Sequence, residues 1–264
     1  MKQMYFLLLL SVLAISLSGA PAGSPLSPAL LQKGLFSKKH APCALSSGYA
    51  GNFVFDRRLN QYKTGEGRVD NYELYSQSGL LTVTLMERAS FCSLLGSGKI
   101  ESDFCVVSDG VLRHVVTKTE EDFSLGFGSD LLLLDWRLFA LGAGLLYTKM
   151  RPALTTLTVD GISYKPGGAR FSYEEWQGHV GISYQVGFLM PYIGTKYTSA
   201  SSEVTLPCVR YLFNESNRSR FFRSRKHWGL YLGCSVTRSE VFALTIETRL
   251  IDEEAVSVFA EIRF

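Results

Sequence analysis

The sequence predicts an all-β chain: a transmembrane antiparallel β-barrel of the outer-membrane type, of about 12 strands with 10 to 16 allowed. Three observations carry this. Apolar and polar residues alternate with a period of two in segment after segment. The chain holds 17 Phe and 13 Tyr, residues that favour strands. An export leader opens the sequence, and no apolar helix of membrane-spanning length follows it.

In the leader, Lys2 is the positive region, Tyr5 to Ile15 the apolar run, and small residues follow from Ser16. Ala20-Pro21-Ala22 fits a small-x-small cleavage site. A cut after Ala20 would put Pro21 behind the scissile bond, so cleavage is expected after Ala22. The expected organisation is a signal peptide over 1–22, an extended segment rich in Pro, Ser and Lys over 23–46, and the barrel domain over 47–264. The longest later apolar run, Leu131 to Leu146, is interrupted by Asp135 and Arg137.

The alternation is clearest in the second half. In Trp176 to Val186 the even positions are apolar, aromatic or Gly, while Gln177, His179, Gly181, Ser183 and Gln185 fill the odd ones. Trp228 to Val236, Phe242 to Leu250 and Val256 to Phe264 repeat the pattern, as do Tyr49 to Phe55 and Phe139 to Tyr147. A soluble sandwich alternates in the same way. Three features favour the barrel: segments of 9–11 residues, aromatics at segment ends such as Trp176, Tyr184 and Trp228, and polar faces that mix Gly and Ser with charges of both signs. Closure removes the sheet edges that lipid cannot hydrogen-bond. Gly187-Phe188-Leu189 reads as a short periplasmic turn, and residues 199 to 226 as an external loop, with an extra hairpin around Val204 to Phe213 as the alternative.

On this alternation Gln177, His179, Gln185, Lys196, Glu247 and Arg249 face the lumen and are the pore-lining candidates. His179 and Ser183 share a face, but four residues along a strand span about 13 Å. They cannot act as base and nucleophile, and no enzyme is expected. The net charge of +3 does not suggest a nucleic-acid partner. Arg218, Arg220, Arg223, Arg225 and Lys226 form a basic cluster on the external loop, suited to lipopolysaccharide. Cys43, Cys92, Cys105, Cys208 and Cys234 are the disulfide candidates. Export permits disulfides, and the odd count leaves at least one thiol outside any internal pair. No spacing is CxxC, so no metal site and no cofactor are expected.

Four stretches resemble the chlamydial major outer membrane protein family of porins: G-Y-A-G-N-F-V-F-D-R-R-L from Gly48, E-R-A-S-F-C-S-L-L-G from Glu87, S-Y-E-E-W-Q-G-H-V-G-I-S-Y-Q from Ser172 with P-Y-I-G-T-K-Y from Pro191, and S-R-K-H-W-G from Ser224 with L-T-I-E-T-R-L-I-D-E-E-A and the terminal I-R-F. They lie in order along the chain, which is short for the family. The resemblance implies an outer-membrane porin passing small solutes or ions, in a homotrimer with disulfide links to envelope neighbours that stiffen the wall. It makes Phe264 the aromatic signal for barrel assembly. The alternative is a structural or adhesin-like barrel that does not conduct.

Overall fold

The computed structural model describes residues 23–25, 27–31, 34–35, 41–62, 67–108, 111–136, 138–205, 219–237 and 241–264. The expected signal peptide, Cys208 and Arg218 fall outside them. After one helical turn, α1 (Ser27–Leu30), the strands run in chain order β1 (Cys43–Arg57), β2 (Leu59–Tyr62), β3 (Gly67–Leu85), β4 (Ala89–Ser108), β5 (Val111–Thr119), β6 (Asp122–Trp136), β7 (Phe139–Met150) and β8 (Leu154–Val159). They continue as β9 (Ile162–Tyr164), β10 (Arg170–Tyr184), β11 (Leu189–Thr205), β12 (Ser219–Ser224), β13 (Trp228–Thr237), β14 (Phe242–Leu250) and β15 (Glu253–Arg263).

Ten of these strands close an antiparallel ring in the order β1-β15-β14-β13-β11-β10-β7-β6-β4-β3, with β3 returning to β1. The seam pairs the first strand with the last, from Ser46 opposite Arg263 to Arg57 opposite Glu253. Ten lies inside the expected range and two below its central value. The remaining strands are mostly continuations of ring strands. β4 pairs with β6 up to Gly98 opposite Asp122, then with β5 from Glu101 opposite Lys118. β11 likewise passes from β13 to β12, and β3 from β1 to β2. β8 prolongs β7 and pairs with β5.

The barrel therefore tapers. The β14–β15 hairpin ends early, at a turn where Ile251 takes a φ of 84°. Beyond it β2 pairs with β12 across the gap. Eight strands then surround the axis: β2, β3, β4, β5, β8, β10, β11 and β12. One bridge, Ala153 with Arg170, closes β8 on β10. Eight strands enclose just enough space for side chains to fill, and here they do. Tyr72, Ile100, Phe104, Leu157, Phe171 and Phe222 are buried in one apolar core at this end, and Phe104 meets Phe222 edge to face with ring centroids 5.0 Å apart.

The outer wall of the ten-stranded part is apolar, with aromatics at both levels. Tyr147 and Trp176 meet edge to face on the side of the long connections, where Tyr197 also contacts Trp228. Phe139 and Tyr184 meet at the short-turn side. Trp176 to Tyr184 covers nine residues, the length of a tilted membrane strand. Outward side chains between these levels include Val180, Ile182, Ile193 and Ile246, all exposed. An apolar band flanked by aromatic girdles is the lipid-facing surface of an outer-membrane barrel.

One expectation is corrected. Residues 199–226 are not a single loop: β11 runs on to Thr205, and Ser219–Ser224 forms β12. The basic cluster is thus carried partly on a strand. Arg223, Arg225 and Lys226 are exposed, which alternation in so short a segment did not reveal.

Candidate functional site: the bore and its charged layer

Strand alternation places Gln177, His179, Lys196, Glu247 and Arg249 inside the barrel, all nearly or fully buried. Gln185 lies elsewhere. It follows the end of β10, its N–H donates to the Leu138 carbonyl at 2.8 Å, and its side chain is exposed at the short-turn end. The strand ends at Tyr184, two residues before the Val186 that the alternation suggested.

A layer of buried charge sits where ten strands become eight. Glu253, at the tip of the short hairpin, is its centre. Arg249 Nη1 lies 2.9 Å from Glu253 Oε1, Arg57 Nε donates to Glu253 Oε2 at 3.0 Å, and Lys196 Nζ donates to Glu253 as well. Lys196 also pairs with Asp252 at 2.8 Å, and Arg57 with Glu175 at 2.7 Å. Asn52 and Ser257 accept from Arg249, the latter at 3.1 Å. Buried ions need such multiple partners, because desolvating each one costs several kcal/mol, about as much as a good pair returns.

Below this layer the N-terminal segment lies inside the bore. Gly23 N–H donates to Glu247 Oε2 at 2.9 Å, and the Tyr192 hydroxyl donates to the same oxygen at 3.1 Å. Leu30 and Leu31 pack on Met190 and Ala243, and Ala29 on Leu132 and Ala140. Gly142 makes room for the segment, since a Cβ there would run into the Pro25 backbone; at Gly181 a Cβ would meet the Tyr231 hydroxyl first and then the Pro25 ring. An enclosed space of about 70 Å³ remains between Gly23, Ser24, Ser27, Cys92, Asp130 and Glu261, enough for a few waters. Gly142→Ala should lift the segment at Pro25. Partial labelling of Cys92 by a hydrophilic maleimide in folded protein is the expected result, and unchanged protection would contradict this seating.

The cysteines are dispersed. Cys43, Cys92, Cys105 and Cys234 are in no disulfide. Cys92 borders the internal space. Cys234 stands opposite the outward Pro191 and Ile246 on the lipid face. Cys43 is exposed at the short-turn end and Cys105 lies on the outer face of the eight-stranded end. Phe264 is partly exposed, and its N–H donates to the Leu45 carbonyl at 2.8 Å.

Sequence reasoning missed two contributors. Arg57 and Glu175 were not marked: Glu175 falls on the inward face of β10, and Arg57 is turned inward by the register shift between Val54 and Asp56. The occupied bore was missed because a Pro- and Ser-rich stretch carries no strand or helix period.

The family described as Chlamydia major outer membrane protein matches residues 148–210 and 215–264. The stretches from Ser172 to Tyr197 and from Ser224 onward lie within or across these matches. The major outer membrane porin of Chlamydia trachomatis serovar F aligns at 22% identity over 385 positions, covering 95% of this chain and 96% of the relative. The major outer membrane porin of Chlamydia muridarum aligns at 22% with the same coverage. Among solved structures, an outer membrane channel from Pseudomonas putida F1 is similar with a TM-score of 0.42 at 9% identity, covering 88% of this chain and 99% of the other. An alignment of 385 positions against a chain of 264 residues leaves more than a hundred positions of the relative without a counterpart. The chain is thus similar to the Chlamydia major outer membrane proteins over nearly its whole length, and is shorter than they are.

Proposed function

We propose that the chain is an outer-membrane porin of restricted bore, passing small ions rather than larger solutes and closed at rest by its own N-terminal segment. The observation that carries this reading is the charged layer. Ionisable residues at membrane depth are costly and mark ion pathways, and a barrel serving only as a wall has no need of Arg249, Lys196 and Glu253 on its axis. Rings of opposed charge set ion preference in pores. Porin is also the name its relatives carry.

Among the described residues the layer holds the cations Arg57, Lys196 and Arg249 and the carboxylates Glu175, Glu247, Asp252 and Glu253. Cleavage after Ala22 would add a positive charge here: Gly23 N, bonded to Glu247, would become an α-ammonium beside that carboxylate. Signal removal and closure of the bore would then be one event. Cys43 is the exposed thiol placed for a link to an envelope neighbour. Lipid and lipopolysaccharide are the surroundings, with Arg223, Arg225 and Lys226 placed for the latter's phosphates. A homotrimer is the expected assembly, and Phe264 the assembly signal.

A planar bilayer tests this. The mature protein should give small conductance steps, and a chain lacking residues 23–35 more frequent ones. Glu247→Gln should lower cation preference. The apolar core of the eight-stranded end favours the second reading, a structural barrel without conduction. Silence from both folded proteins would establish that reading instead.

A further inference from the structure

Outside the bore, Asp70, Asp103, Cys105 and His114 meet on the outer face of the eight-stranded end. We propose that they form a binding site for a borderline transition cation, Zn²⁺ being the fitting case. The site is independent of conduction.

Three strands bring the four donors together. Cys105 on β4 stands directly opposite His114 on β5. Asp103 is two residues from Cys105 and so shares its face. Asp70 is the extra residue of a bulge in β3, between Val69 opposite Phe104 and Asn71 opposite Asp103. Bulges re-aim side chains, and this one aims Asp70 at its neighbours across the strand. One ligand atom each from Asp70, Asp103 and His114 lies within 4.8 Å of the others. Cys105 Sγ lies 3.3 Å from Asp70 Oδ2.

Asp103 Oδ1 is shut off from solvent and lies 2.6 Å from His114 Nε2, so these two donors are already held against each other at the centre of the cluster. The His114 backbone is fixed by Asp160: its main-chain N–H donates to Asp160 Oδ1 at 2.8 Å, and its carbonyl accepts from the Asp160 N–H at 2.9 Å. Arg113 pairs with the other Asp160 oxygen at 3.1 Å, so that cation is directed away from the cluster.

The donor set selects the ion. One imidazole nitrogen, one thiol sulfur and two carboxylates suit Zn²⁺, which takes N, S and O ligands in four-coordinate sites. Ca²⁺ and Mg²⁺ prefer oxygen alone. On binding, the Cys105 thiol gives its proton to solvent and the thiolate ligates; no redox change is involved. The pairing of Cys105 with His114 is readable in the sequence. Asp109-Gly110 is a two-residue hairpin signature, and counting back from it sets these two residues opposite each other. The Asp160-Gly161 turn adopts the positive φ values that signature demands, 51° and 81°.

The test uses tag-free mature protein folded in detergent under reductant, titrated with Zn²⁺ against a chromophoric chelator. One equivalent should bind, with affinity falling about tenfold or more in both Asp103→Asn and His114→Ala. Heat-modifiable migration in gels checks that each variant is folded. With Co²⁺ as probe, a thiolate-to-metal absorption band should appear and vanish in Cys105→Ser. Unchanged Zn²⁺ affinity in both variants, or equal competition by Ca²⁺, would overturn the site.

Discussion

Glu253→Gln should cost the barrel about 3–5 kcal/mol, the range for removing one partner of a buried ion pair. Arg57, Lys196 and Arg249 all converge on this carboxylate, which has no exposed side-chain surface. Glutamine keeps the shape and removes the charge, leaving Arg57, Lys196 and Arg249 without the carboxylate they share. Against a typical stability of about 5–15 kcal/mol, the loss shifts the urea midpoint far down or abolishes folding. Glu101 is the control. Its hydrogen bond with Lys118 at 2.7 Å is on the outer face, and that bond holds the Glu101 carboxyl below its ordinary range. Lys118 is about half exposed, however, so Glu101→Gln should cost under about 1 kcal/mol. Equal effects of the two substitutions, read as midpoints in detergent, would show that the layer does not hold the barrel together.

Deleting residues 23–31 should turn Cys92 from protected to freely reactive while the barrel stays folded. The segment contributes Gly23, Ser24, Ser27 and Leu30 to the wall of the space that Cys92 borders. Its other attachments include the hydrogen bond to Glu247, one from the Arg263 guanidinium to the Leu31 carbonyl, and small apolar contacts near the short-turn end. None of these is a strand pairing, so the ring does not depend on it. Labelling is read in a background with Cys43, Cys105, Cys208 and Cys234 changed to Ser. Rapid modification by a hydrophilic maleimide is expected, with unchanged heat-modifiable migration. Continued protection of Cys92 in the folded deletion variant would mean that the segment does not close this end.

The two faces of β10, β13, β14 and β15 were legible because their cause is local. Side chains alternate across a strand, and water inside against lipid outside imprints a period of two. Gln177, His179, Lys196, Glu247 and Arg249 followed from that rule alone. Gln185 did not, because where a strand ends is decided by turn chemistry. The taper was illegible for a different reason. Whether β5 lies over β6 or beside it depends on registers set by partners far along the chain, and β2, β8, β9 and β12 are too short to show a period. Arg57 lies just past the irregularity in register between Val54 and Asp56, which breaks the count from Tyr49. The seating of residues 23–31 follows from Gly142 and Gly181 on distant strands, and nothing near Pro25 announces it.

The early end of the β14–β15 hairpin makes the aperture of this protein a matter of one turn. Strand number fixes the diameter of a closed sheet, and only this hairpin separates a ten-strand circumference from an eight-strand one. Four or six residues of alternating character inserted at Ile251 would carry both strands past the present rim and force β2 and β12 apart. The throat would widen by two strands without touching its lining. In a lineage of barrels that differ chiefly in the reach of their hairpins, permeability can therefore be tuned by insertions far from any residue a solute would meet.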